Sequence, residues 1–167
     1  MPSIVIMGVA GCGKSSLAAL IAQRNGLKLV EGDDHHSLDN RRKMSQGVAL
    51  TDEDRDGWLT TLSELLHTQS QGVVLTCSAL KRIYRDRLRS ASPGLRFVFL
   101  EISPAQAQAR VTARAHAHFF SSTLVESQFA TLEVPTGEPG VLRLDACSPL
   151  PHMQTDVAKW LHNEETV

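Results

Sequence analysis

Gly8-Val9-Ala10-Gly11-Cys12-Gly13-Lys14-Ser15 is a complete G-x4-G-K-[ST] run. An apolar, strand-like stretch, Ile4–Met7, leads into it, and a helix-like pattern, Ser15–Gln23, leads out. That context makes the run a phosphate-binding loop. Its three glycines let the backbone curl until the N–H groups point inward, and the following helix N-terminus adds positive potential at the same place. Residues Gly8 to Ser15, with Ser16, are therefore the expected cradle for the phosphates of ATP. Lys14 is expected to reach the β- and γ-phosphates, and the Ser15 hydroxyl is expected on Mg²⁺. The chain is read as a binder of nucleoside triphosphate.

Working outward, short β-rich runs alternate with helical periodicity, which implies a parallel sheet with helices on both faces. Strands are expected at Ile4–Met7, Lys28–Val30, Val73–Cys77, Arg96–Ile102 and 141–145. Thr51 with Asp54 three residues on reads as a helix N-cap ahead of an apolar face of Trp58, Leu59, Leu62, Leu65 and Leu66. Ser78 is expected to cap a basic helix, Ala79–Arg89, and Ser103-Pro104 to open another by cap and first-turn logic. Residues 34–50 are polar and lack strand character, 114–121 read as an exposed loop, and 122–132 and 152–163 as helices. The 167 residues make one domain, with no repeat, linker or low-complexity tract.

A formal net charge of −1 argues against nonspecific binding to nucleic acid or anionic membrane. No stretch is apolar enough for a membrane span, and Met1-Pro2-Ser3 runs directly into a core strand, so a cytoplasmic protein is expected. Cys12, Cys77 and Cys147 are odd in number and lack metal-ligand spacing, which fits a reducing compartment. Cys12 lies in the loop at a helix start. It reads either as an oxidation-sensitive thiol shielded by nucleotide or as a small residue that simply fits.

In open parallel sheets, ligands collect beyond the C-terminal ends of the strands. That rule gathers Asp33, Ser78 and the loop at 8–15 on one rim. Asp33, at the tip of the second strand, is the candidate to accept or orient the proton of an acceptor hydroxyl and to touch the Mg²⁺ water shell. Its competing reading is a turn-forming Gly-Asp. His36 reads either as a hydrogen-bonding group toward a polar acceptor or as plain loop structure; a transition-metal site at His35 and His36 is disfavoured because no carboxylate or cysteine sits at ligand spacing and hard Mg²⁺ prefers oxygen. Arg41, Arg42 and Lys43 read as a solvated charge run. Lys81, in the first turn after strand three, is offered to an anionic acceptor. Arg110 and Arg114 end a helix before a loop at 114–122 read as a mobile lid, and Arg114 is assigned to close over the phosphates. Lys14, Asp33 and Arg114 thus form the catalytic set, with Arg110 and Arg114 added to the ATP contacts.

These residues resemble the bacterial-type gluconokinase family of small kinases with a phosphate loop. The likeness runs from about Ile4 to Trp160 through spaced motifs: Gly8–Ser15, Glu31-Gly32-Asp33-Asp34-His35-His36, Lys43-Met44 with Gly47, Leu50–Arg55 with Trp58-Leu59, Cys77–Lys81 with Tyr84-Arg85-Asp86, and His118-Phe119-Phe120 followed by Ser127-Gln128-Phe129 and Leu132-Glu133. The resemblance implies a three-layer α/β/α fold similar to shikimate and nucleoside-monophosphate kinases, with a five-stranded parallel sheet in the order 2-3-1-4-5. It implies phosphorylation of D-gluconate by ATP with Mg²⁺, an acceptor segment at about 34–60, and a homodimer. It also sets Asp33 before the substrate hydroxyl and Arg55 and Lys81 toward the sugar acid's carboxylate and hydroxyls, a task that suits an arginine fork. The chain departs from the family at Ser37-Leu38 and Ala49, where prolines are usual, and at the spacing from Arg114 to His118, one residue longer. Those changes are expected to loosen the acceptor loop. The alternatives are a related kinase for shikimate, adenylylsulfate or a nucleotide, and a non-catalytic nucleotide-dependent regulator.

Overall fold

Apolar alternation along the strands builds the molecule. The computed structural model describes residues 1–114 and 123–164. β1 (Ile4–Met7) is buried throughout: Ile4 and Ile6 join the core on one face of the sheet, and Val5 and Met7 the core on the other. β3 (Val73–Thr76) and β4 (Arg96–Glu101) divide in the same way, Val74, Val98 and Leu100 to one side and Val73, Leu75, Phe97 and Phe99 to the other. A strand buried on both faces requires two covering layers. Helices α1 (Lys14–Asn25), α5 (Pro104–Ala113), α6 (Leu124–Thr131) and α7 (Leu150–Glu164) contribute to the first core. Helices α3 (Asp52–Thr68) and α4 (Arg82–Ala91) contribute to the second. With β2 (Lys28–Glu31) and β5 (Val141–Asp145), the sheet has five parallel strands in the order β2-β3-β1-β4-β5. This is the expected α/β/α fold and strand order.

The local signals were reliable where a cap defined the element. Thr51 and Asp54 form a reciprocal capping box at the start of α3, and Ser103 and Gln106 form another at α5, with Pro104 in the first turn. Gly26 ends α1 in the left-handed conformation.

Two expectations need correction. The helix after β3 starts at Arg82 with Lys81 as its N-cap, not at Ala79 behind Ser78. Ala79 has φ 47°, which no right-handed helix accommodates. Residues 78–80 instead form a turn whose carbonyls are all engaged: Ser78 O accepts from Gly8 N–H at 3.3 Å, and Ala79 O and Leu80 O accept from Arg85 Nη1 at 2.7 and 3.1 Å. The polar stretch 34–50 also contains helix. A 3₁₀ turn, Gly32–His35, is followed by α2 (Leu38–Ser45). Ser37 caps α2, its hydroxyl accepting from Asn40 N–H at 3.1 Å. Leu38 occupies the first helical position, one that also accepts proline.

Arg85 is the largest fully buried side chain. Its guanidinium forks onto Glu138, Nε to Oε1 at 2.9 Å and Nη2 to Oε2 at 2.6 Å, and also donates to Glu133 O at 2.9 Å. Burial opposes ionisation of Glu138, but Arg85, with Arg89 behind it, holds the carboxyl below its usual range. Arg85 thus ties the turn after β3 to the segment before β5. Arg85→Ala leaves buried Glu138 to Arg89 alone, 3.0 Å away, and takes the donor from three carbonyls; it should cost about 3 kcal/mol of stability, measured by chemical denaturation.

Candidate active site

The first glycines and the helix start build the floor of the site. Gly11 has φ 82°, and a Cβ there would come within 2.8 Å of Ala107 O, so this position admits glycine alone. Lys14 folds over the loop, its Nζ donating to Gly8 O at 3.0 Å and Val9 O at 3.1 Å. Arg110 grips the loop from α5, with Nη1 donating to Gly11 O and Cys12 O, both at 3.3 Å, and Nη2 to Ala146 O at 3.1 Å. Cys12 is 1 % exposed, turned under the loop so that a Cβ on Gly8 would meet its Sγ at 2.8 Å. That is the placement of a small residue packed beneath the loop.

The acceptor side hangs from the tip of β2. Gly32 can approach β3 only because it lacks a Cβ, which would sit 2.1 Å from Thr76 O. Its N–H donates to Thr76 Oγ1 at 3.2 Å and its carbonyl accepts from Trp58 Nε1 at 2.8 Å. The backbone that presents Asp33 is therefore clamped from β3 and α3 together. Arg41, read as solvated, reaches back to Asp33 O and Asp34 O at 3.3 and 3.0 Å. Lys43 pairs with Asp54 at 2.8 Å, so two members of that charge run are structural.

His36 is held by packing and by one amide. Its ring stacks on Trp58 with centroids 4.2 Å apart. Asn40 Nδ2 donates to Asp54 O at 2.8 Å and, at 3.3 Å, to His36 Nδ1. With Nδ1 an acceptor, the proton of the neutral ring is on Nε2, which faces Asp33 Oδ1 at 3.9 Å. Burial, then the Arg55 and Arg41 charges, push the His36 pKa down to about 4. Between pH 4 and 6.5 the unfolded chain thus binds a proton that the native state refuses. Stability should fall as pH drops through that window, by about 3 kcal/mol in all, and this dependence should shrink in His36→Gln, as denaturation curves at pH 7 and 4.5 will show.

Arg55 is 8 % exposed. Nη1 donates to Leu50 O at 2.8 Å and Tyr84 Oη at 3.4 Å, and the guanidinium lies over the Tyr84 ring at 5.6 Å. Tyr84 in turn donates to Asp52. Arg55 has no carboxylate in ion-pair range among the described residues, although its own helix starts with three acids. Lys81 differs: it is taken by Asp52, with Nζ at 3.0 and 3.1 Å from the two oxygens.

A cavity of about 280 Å³ joins these parts, lined by Gly11, Gly13, Lys14, Ser15 and Ser16 of the phosphate loop and α1 and by Asp33, His36, Ala49, Leu50, Arg55 and Trp58. Arg114, the C-cap of α5, also lines it, with Ser127 and Gln128 of α6. The structure therefore brings Lys14, Asp33, His36, Arg55 and Arg114 together. Arg110 and Lys81 are not among the lining residues. The motif at His118, the longer spacing from Arg114 and the rest of the expected lid fall outside the described residues.

Sequence reasoning overlooked three contributors. Glu31 Oε2 accepts from Ser15 Oγ at 3.1 Å and Thr76 Oγ1 at 2.5 Å, which adds a carboxylate beside the phosphate loop. Its signal was the position at a strand tip two residues before Asp33. Trp58, read only as core, stacks on His36 and lines the cavity. Gln128 accepts from Ala10 N–H at 2.7 Å; nothing local in the sequence announces that contact.

A family model described as an AAA domain matches residues 4–135. A probable gluconokinase from Schizosaccharomyces pombe is 45% identical over 143 residues, covering 80% of this chain and 74% of that protein. The crystal structure of a gluconokinase from Sinorhizobium meliloti 1021 superposes with a TM-score of 0.85 at 42% identity, covering 98% of this chain and 97% of that one. Shikimate kinase from Aquifex aeolicus shares the fold, with a TM-score of 0.61 at 13% identity. No helix among the described residues is long and apolar enough to cross a membrane. With a phosphate loop and the aspartate that follows its second strand lining one cavity, and with relatives at this identity over most of its length, the chain belongs to the gluconokinase family of kinases with a phosphate-binding loop.

Proposed function

We propose that this protein transfers the γ-phosphoryl group of ATP to D-gluconate, giving ADP and 6-phospho-D-gluconate. The observation that carries the acceptor assignment is Arg55. A guanidinium this buried ordinarily has an anionic partner. Here its neighbours are a carbonyl and a phenol, and its open side faces the cavity. A sugar acid supplies the missing carboxylate. The gluconokinases to which this chain is similar supply the same substrate by name.

Within that reading Lys14 and the loop amides hold the β- and γ-phosphates, and Asp33 accepts the proton of the attacking hydroxyl. His36, with its proton on Nε2, donates to a substrate oxygen; Arg114 completes the ATP contacts, while Arg110 braces the loop through its carbonyls. Phosphoryl transfer draws its rate from such positioning and charge neutralisation more than from covalent chemistry. The oxygen donors Ser15, Glu31 and Asp33 suit a hard cation. Mg²⁺ at Ser15, with the carboxylates on its water shell, would neutralise phosphate charge. Lys81, through Asp52 and Tyr84, supports Arg55 rather than meeting the acceptor itself. By family likeness the reading extends to a cytoplasmic homodimer that binds neither nucleic acid nor membrane.

The test is an acceptor panel in an ADP-release assay. Gluconate should be used well and its uncharged counterpart sorbitol poorly. Arg55→Ala should raise KM for gluconate by about 10²-fold, the loss of a charge-assisted, bidentate contact, while leaving KM for ATP near its original value. Fast turnover on shikimate with none on gluconate would overturn the assignment.

A further inference from the structure

One peptide unit of the phosphate loop is held at both ends. The carbonyl of the Val9–Ala10 peptide accepts from Lys14 Nζ at 3.1 Å, and its N–H donates to Gln128 Oε1 at 2.7 Å. Because a peptide is planar, fixing the direction of the N–H also fixes the direction of the carbonyl. The side-chain orientation is unambiguous, since a backbone N–H can only donate and so must face the carboxamide oxygen. Gln128 itself is firmly based: it lies on α6, whose Leu124 and Val125 are buried, and its own carbonyl accepts from Leu132 N–H at 2.9 Å. The contact spans 118 positions in sequence. It also withdraws the Ala10 N–H from the cradle, as the bond to Val9 O at 3.3 Å does for the Cys12 N–H.

We propose that Gln128 is a positioning residue for phosphoryl transfer: its carboxamide oxygen locks the Val9–Ala10 peptide plane and so aims the Lys14 ammonium across the loop. Without that acceptor only the carbonyl end of the plane is held, by Lys14 and by the Cys12 N–H at 3.3 Å; the plane can then tilt about that end and shift one of the two carbonyls that set the ammonium's position. The defect falls on the step that needs Lys14 at an exact place, since misplacing a reacting group by about 1 Å costs on the order of 10²-fold in rate. Simple ADP binding, which most of the cradle supports, is spared.

This inference rests on the kinase reading above, and two variants test it against wild type on whichever acceptor the wild-type protein uses best. Gln128→Met keeps the length and volume but cannot accept; it should lower kcat about 10- to 100-fold, with Kd for ADP and KM for the acceptor within about threefold and Tm within a few degrees. Gln128→Glu keeps an acceptor oxygen; it should recover kcat to within about threefold of wild type while raising KM for MgATP through its charge. A Met variant with near-normal kcat, a Glu variant as slow as the Met variant, or a parallel loss of ADP affinity and Tm would each overturn the proposal. Lack of wild-type turnover on gluconate would sink the substrate assignment instead, and the ratio of variant to wild type would still be read on the preferred acceptor.

Discussion

Asp33→Asn is expected to lower kcat by about 10²- to 10⁴-fold, the range that a positioned general base supplies. Asparagine keeps the shape and can still accept a hydrogen bond, but it cannot take the proton of the attacking hydroxyl. The backbone carrying residue 33 is clamped through Gly32 to Thr76 and Trp58, so the substitution should leave the fold intact. Asp33 shares a cavity with the phosphate loop but is not part of the loop. Affinity for ATP, measured by calorimetry, should therefore change little. A variant with near-normal kcat would remove Asp33 from the base role.

Lys14→Ala should lower kcat by at least about 10²- to 10³-fold, the loss that follows removal of one preorganised donor at a developing charge. Lys14 also spans the loop by bonding Gly8 O and Val9 O, so its removal loosens the cradle as well as discharging it. Affinity for MgATP should fall together with kcat, unlike the pattern expected for Asp33→Asn. Titration of each variant with MgATP separates the two roles: binding retained with chemistry lost at residue 33, both impaired at residue 14.

The parts of this architecture that were legible in the sequence are those decided within a few residues. The phosphate loop needs glycine at Gly11 because of a left-handed φ and a carbonyl close by, and such needs write themselves into the local sequence. The capping boxes at Thr51 and Ser103 are likewise decided within one turn. Helix α2 was missed because only Asn40 and Met44 are buried in its eight residues, which leaves no apolar stripe to read. The false start of α4 has a different origin. Ser78 is a good cap by type, but its carbonyl is used by Gly8, and Ala79 is left-handed with its carbonyl taken by Arg85. The first of these demands comes from the end of a strand far away in the chain, and the second from a buried arginine that is also bonded to Glu133 and Glu138.

The site shows the same division. Lys14, Ser15 and Asp33 could be named from the loop and the strand tip. That Asp52 would take Lys81, leaving Arg55 as the cation open to the cavity, depends on how α3 packs against α4. The bonds of Glu31 to Ser15 and of Gln128 to Ala10 likewise exist only once the sheet has assembled.

Phosphorus-31 NMR of the complete reaction, with MgATP and D-gluconate, tests the central claim most directly. The account predicts one equivalent of a phosphomonoester per ADP, its resonance split by the two protons of a primary carbon. Formation of ADP with inorganic phosphate alone, at a rate indifferent to gluconate, would contradict it.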